Sequence, residues 1–167
     1  PDLSRGGIGL DLTQAVPLKE NNSSASMGVQ KTGPFDVPYL EAQEMLLLPV
    51  NPNGLRNSEV LRPYYTAADI VRRWTERWVI DFTFCENEQE AALFEHPFRL
   101  ADLRVAPTRT SKRVDTLSQF WWRFERDRRD FRAKFGGLHR IIVTPHVSKL
   151  RLWTYLDART CASNLLI

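Results

Sequence analysis

Trp78-Val79-Ile80-Asp81-Phe82 is the stretch on which the fold class turns. Its branched and aromatic side chains alternate with period two, which places Trp78, Ile80 and Phe82 on one face of a core strand. Working upstream, residues 60–65 read as extended and 67–73 as a possible helical turn. Before them, Asn51-Pro52-Asn53-Gly54-Leu55-Arg56-Asn57-Ser58 is rich in turn formers. Pro38, followed by Leu40, Ala42, Met45, Leu46 and Leu48 ahead of Pro49, predicts a short amphipathic helix with a proline at each end. Residues 1–26 carry Gly6, Gly7, Gly9 and Asn21-Asn22-Ser23-Ser24 with neither helical nor strand period, and read as a linker or arm before a domain at 27–167.

Downstream, residues 86–94 are good helix formers with an acidic first turn that suits the positive end of a helix dipole. Composition predicts a mostly helical stretch over 108–135, stopped by Gly136-Gly137. Ile141-Ile142-Val143-Thr144 and residues 150–156 are strands flanking the loop Pro145-His146-Val147-Ser148-Lys149. The expected fold is therefore α+β: a single domain of short strands in a mixed or antiparallel sheet with interleaved helices, preceded by an irregular N-terminal arm.

The 167 residues suffice for one real core, and 43% apolar with 26% charged residues is a soluble globular profile. No apolar run reaches the roughly 18 residues of a membrane span, and the N-terminus lacks the basic-then-apolar order of a signal peptide, so the expected compartment is the cytoplasm. Cys85 and Cys161 stand far apart without histidines at ligand spacing, and read as buried or idle thiols. The net charge of +3 hides segregation: residues 81–98 hold five acids and no Lys or Arg, whereas 99–140 hold twelve Lys or Arg against five acids. A polyanion is the obvious partner for such a surface, and a solvated helix face is the plain alternative.

Catalytic constellations are missing from the sequence. His96, His139 and His146 are widely spaced, with no pair at the i, i+4 interval that sets two metal ligands on one helix face. Gly7-Ile8-Gly9 follows no apolar strand and opens no helix, so it lacks the context of a nucleotide loop. Asn51-Pro52 superficially matches the Asn-Pro-Pro-aromatic signature of adenine methylation, but Asn53 and Gly54 stand where the second proline and the stacking ring belong. Both read as structural turns, and the chain alone is expected to be non-catalytic, with no metal or cofactor site.

What the sequence does offer is arginine interleaved with aromatics across Phe120, Trp121, Trp122, Arg123, Phe124, Arg126, Arg128, Arg129, Phe131, Arg132 and Lys134. On a helix, Trp121, Phe124, Arg128 and Phe131 would fall near one face and Arg123, Arg126 and Arg129 would point outward. With Arg109, Lys112 and Arg113 upstream, these are the candidate phosphate contacts, which add salt-sensitive affinity without sequence information. The bland alternative is an aromatic core with the arginines paired to Glu125, Asp127 and Asp130. The second candidate is the loop carrying His146, Ser148, Lys149 and Arg151, because a short loop held by strands can present Lys and Arg to guanine edges, with Ser or His as adaptable partners.

Taken in order, Asn51-Pro52-Asn53-Gly54, Asn57-Ser58-Glu59-Val60-Leu61-Arg62-Pro63-Tyr64, Trp78-Val79-Ile80-Asp81-Phe82, Trp121-Trp122 and Thr144-Pro145-His146-Val147-Ser148-Lys149-Leu150-Arg151 resemble the target-recognition domain of MmeI-like DNA methyltransferases, large single-chain proteins related to type IIG restriction-modification enzymes. The resemblance spans roughly Met27 to Asp157. It implies a prokaryotic, restriction-modification-like parent whose separate catalytic domain uses S-adenosylmethionine to methylate adenine N6, sometimes with a nuclease, and from which this chain is an excised part. It implies double-stranded DNA and that catalytic domain as partners, and it favours Lys149 and Arg151 as base-reading residues. Asn51, Asn53 and Asn57 more naturally hold their turn. His146 stands where the family often has Arg, and Ala67-Ala68 where it often has Asn-Gly, which leaves the recognised sequence open. A free-standing enzyme, a protein-interaction module anchored by Trp and Arg, and an RNA binder are the rival readings.

Overall fold

β3 (Trp78–Ile80) lies between β1 (Asp36–Val37) and β2 (Leu61–Tyr65), antiparallel to both, and β6 (Cys161–Ala162) adds to the far side of β2 in parallel. The computed structural model describes residues 13, 15–16, 18–21, 24–110, 116–149 and 151–164. Leu61 pairs with Ile80, Arg62 with Val79 and Pro63 with Trp78. Val79 and Ile80 are both buried, so the strand is covered on two faces instead of the single face that the alternation suggested. A second, two-stranded antiparallel ribbon joins β4 (Arg140–Val143) to β5 (Thr154–Asp157). Among the described residues the fold is thus α+β, with a mixed sheet and interleaved helices, as expected.

The helices form where local chemistry asks for them. α1 (Tyr39–Leu47) starts after Pro38 and ends at Leu48, whose ψ of 154° is the extended geometry that Pro49 imposes on its predecessor. Asn57 is buried just after this helix, donating to the Met45 carbonyl at 2.8 Å and accepting from Asn51 at 2.9 Å. Asn51 and Asn53 also bond Leu55, so the asparagines hold the turn. α2 (Ala67–Val71) begins with Asp69 accepting from the Thr66 N–H at 2.7 Å. α3 (Glu88–Ala92) is capped by Asn87, which accepts from the Glu90 N–H at 2.8 Å. α4 (Glu95–Arg104) follows and is tied to α1 by Arg104 and Glu41 at 3.0 and 3.1 Å.

The mostly helical stretch expected over 108–135 is broken up among its described residues. α5 (Ala106–Thr110), α6 (Thr116–Gln119) and α7 (Arg129–Arg132) are short and separated. The reason is burial: Trp121, Trp122 and Phe124 are all in the core, and neighbouring residues 121 and 122 point about 100° apart on a helix. A turn lets both rings reach the interior, where Trp121 packs on Phe98 at 5.4 Å and Phe124 on Phe35 at 5.0 Å. Each such ring removed from water stabilises by about 1.5–3 kcal/mol, which exceeds any helix propensity of the segment. Arg126 then pairs its backbone with Gln30, and Arg128 takes a left-handed φ of 55° that restarts the chain as α7. The glycine stop stands where expected, with Gly137 at φ 82°.

Of residues 1–26, only parts are described, and the linker assignment falls largely outside them. Both cysteines are buried free thiols. Burial raises Cys85 to about 11 and Cys161 to about 12, with nearby acids pushing the same way, so both are protonated and unreactive near neutrality. Among the described residues no helix is long and apolar enough to cross a membrane.

Candidate nucleic-acid interface

The β4–β5 ribbon pairs Arg140 with Asp157, Ile141 with Leu156, Ile142 with Tyr155 and Val143 with Thr154. Its loop is rooted by Thr144 and Pro145, both buried, after which His146, Val147, Ser148 and Lys149 are all exposed. Arg151 returns across the root, donating from Nη1 to the Pro145 carbonyl at 3.1 Å. The four base-reading candidates are therefore gathered on one loop, and Lys149 makes no ion pair among the described residues. Leu150 lies outside the described residues.

Of the described phosphate candidates, Arg123, Arg126 and Arg129 line one surface cavity, and Arg109 does not join them. Arg109 is only 3% exposed, and its guanidinium donates to the carbonyls of Lys31 at 2.6 Å, Thr32 at 2.7 and 3.1 Å and Trp121 at 2.9 Å, with Phe120 and Arg123 also within reach. It clamps the turn at Lys31 and Thr32 against the aromatic turn, and a buried clamp of this kind has no face left for phosphate. Arg123 pairs with Asp127. Arg129 pairs with Glu86, whose carboxyl its hydrogen bond and charge hold below the usual range. Arg126 alone of the described candidates keeps an exposed side chain without an ion pair. Lys112 and Arg113 lie outside the described residues. The helical arginine face is thus replaced by an aromatic turn whose arginines are mostly spent on internal partners, near the plain alternative read from the sequence.

Beneath this surface sits an ion cluster that sequence reasoning passed over. Asp81, directly after β3, is wholly buried, accepts from Arg132 of α7 and from the Thr83 N–H at 3.1 Å, and lies 3.6 Å from Arg62 Nε. Burial alone would raise its pKa, but the Arg132 charge and hydrogen bond, with Thr83 and Arg62, outweigh it and hold the carboxyl below its ordinary value. A single acid inside the apolar run Val-Ile-Asp-Phe was the available signal. The cluster ties α7, and the chain leading into β4, to the central sheet.

No group of three or more metal-ligating side chains occurs among the described residues, and His96 lies 3.3 Å from Arg99. A cavity of about 480 Å³ lies beside β4, lined by Met27, Phe131, Phe135, Leu138, Ile141 and Trp153 among others. Sequence reasoning also missed the exposed apolar side chains of the ribbon, Ile142, Trp153 and Tyr155, the first two of which stand at the edge of this cavity. The period-two alternation through Arg140–Val143 and Thr154–Asp157 was the signal that could have found them.

No protein-family model and no curated protein matches this chain. Among solved structures it resembles the type IIL restriction-modification enzyme MmeI, determined in complex with DNA, with a TM-score of 0.57 and 14% sequence identity. The match covers 84% of this chain and 18% of the MmeI chain, so the chain spans less than a fifth of that enzyme's length. At this identity what the two share is a fold.

Proposed function

We propose that this chain is the target-recognition domain of a larger S-adenosylmethionine-dependent DNA adenine-N6 methyltransferase of a restriction-modification-like system. It reads duplex DNA with the loop of His146, Ser148, Lys149 and Arg151, and Arg126 adds a phosphate contact. The observation that carries the reading is the gathering of these exposed polar and cationic side chains on one strand-held loop. The fold shared with part of a DNA-bound restriction-modification enzyme supports it. Phosphate contacts position the protein and base contacts specify, so the loop and Arg126 have different jobs. The catalytic domain, outside this chain, would flip and methylate the base.

In this reading S-adenosylmethionine binds the catalytic domain outside this chain.

The test uses the full-length protein with methyl donor and genomic DNA sequenced for methyl-adenine. A single motif is expected in the wild type. Lys149→Ala and Arg151→Ala should make it degenerate at one base pair each, a loss of about 1–3 kcal/mol of discrimination. Arg126→Ala should weaken binding to all sequences alike and flatten the slope of log affinity against log salt by about 1. An unchanged motif in both loop variants, or no methylation by a folded, donor-binding protein, would sink the assignment.

A further inference from the structure

The ribbon below the loop tip carries an exposed apolar surface. Ile142 and Tyr155 are paired across the two strands and remain 56% and 61% exposed, while Trp153, just ahead of β5, is 65% exposed. Val147 in the loop is 82% exposed. Their neighbours on the inner side differ: Val143 is buried, and Ile141 and Leu156 are half-buried. The ribbon has a packed inner face and an apolar outer one, and contiguous exposed apolar side chains mark a binding surface.

Charge selects the occupant. Residues 139–159 contain Arg140, Lys149, Arg151 and Arg159 against the single acid Asp157. The Arg140 guanidinium lies over the Tyr155 ring at 4.9 Å, which places a cation on the apolar strip itself. An apolar strip fenced by positive charge fits a ligand with anionic walls and apolar groups between them. Duplex DNA has that form: the major groove is walled by phosphates, admits a two-stranded ribbon at about 12 Å width, and displays the thymine 5-methyl group at every A·T pair.

We infer that the outward face of the β4–β5 ribbon, and not its loop alone, seats in the major groove, where Trp153, Ile142 and Val147 pack on thymine methyl groups beside the polar contacts of Lys149 and Arg151. This rests on the DNA-reading function proposed above and names further specificity-determining residues for it. Apolar packing reads thymine without hydrogen bonds, so it leaves a signature that phosphate contacts cannot imitate.

The experiment takes duplexes carrying the sequence that the full-length protein selects from a random pool, synthesised with thymine or with deoxyuridine, which differs only by the methyl. The wild type should bind the deoxyuridine duplex about four-fold more weakly for each methyl contacted, the value of one buried methyl group. In Trp153→Ala or Ile142→Ala, whose side chains are exposed and whose melting temperatures should match the wild type, the thymine and deoxyuridine duplexes should bind alike at one position, as a double-mutant cycle requires. Sequence-selective, salt-sensitive binding with no thymine–deoxyuridine difference, or a difference that survives in both variants, overturns the ribbon proposal and leaves the loop reading intact. Absence of any salt-sensitive duplex binding overturns both.

Discussion

Replacing Arg109 separates a structural clamp from a DNA contact, because the two roles predict losses in different measurements. Its guanidinium is buried and bonded to carbonyls of two turns, 2.6–3.1 Å from Lys31, Thr32 and Trp121. In Arg109→Met the stem packing survives, but the carbonyls lose charge-assisted donors worth about 1.5–3 kcal/mol each before water returns to some of them. Thr32, held at a left-handed φ of 42°, loses the donors that grip its carbonyl. The net cost should be about 3–5 kcal/mol, or roughly 6–20 °C of melting temperature for a domain of this size. Arg109→Lys should recover little of it, since one ammonium cannot span two turns as a planar fork does. Thermal and urea unfolding of wild type and both variants measure this directly. A loss below about 1 kcal/mol in Arg109→Met, accompanied by weaker DNA binding and a flatter salt slope, would refute the clamp and restore Arg109 as a phosphate contact.

Two further changes probe the frame that holds the ribbon. Asp81→Asn leaves Arg132 buried without its counter-charge and should cost about 3–5 kcal/mol in urea unfolding; an effect within 1 kcal/mol would mean that the cluster is not the tie between α7 and the sheet. The folded-state pKa values of Asp81 and Asp69 lie below the ordinary 3.8. Their ionised forms therefore stabilise the fold at pH values above 3.8, and that contribution is lost as pH falls through 3.8 and then through the lower folded values. Melting temperature should drop over this acid window, less steeply in Asp81→Asn; an unchanged acid slope in the variant would count against the assignment. At Gly28, an added Cβ would collide with the backbone carbonyls of Ala162 and Ser163. Gly28→Ala should push β6 away from Val29 and cost about 1–3 kcal/mol, seen as faster amide exchange at Val29 and Asn164, whose N–H groups bond across this contact at 2.8 Å. Unaltered exchange there would show that the contact can yield.

The parts of the fold legible in the sequence are those whose cause is local. The prolines around α1, the asparagines of the turn after it, the glycines at 136–137 and the branched run of β4 all act within a few residues, and these elements lie where the signals put them, whereas β5 starts at Thr154 and not at the expected 150. The aromatic segment is different, because the partners that decide it are remote. Arg109 finds carbonyls 77 and 78 residues earlier, Arg129 finds Glu86 43 residues earlier, and Arg132 finds Asp81 51 residues earlier. Composition favoured a helix there, and nothing nearby announced that two adjacent tryptophans must both be buried. β6 was unreadable for the same reason: a two-residue strand has no period, and its place is fixed by parallel pairing with Tyr64 and Tyr65. At the candidate interface, the exposed loop was legible as a turn between two strands, while counting arginines overstated the free positive surface because it could not see which charges were already answered.

That division has a consequence for how such a surface can change. The charges and rings that build the frame are turned inward: Arg109 to backbone carbonyls, Arg132 to Asp81, Trp121 to Phe98. The loop from His146 to Lys149 is exposed, and its root is held by buried Thr144 and Pro145. Substitutions on exposed positions away from such anchors typically alter stability by no more than about 0.5 kcal/mol, whereas changes to a buried charge or core ring cost several. Side chains at 146–149, and the outward ones at 142, 153 and 155, are therefore free to vary with whatever they contact, with little penalty to folding. The same freedom would not exist had the arginine-rich segment been the reading element, because each change there would also release a buried partner. Recognition on the ribbon, as proposed above, would let one frame carry many specificities.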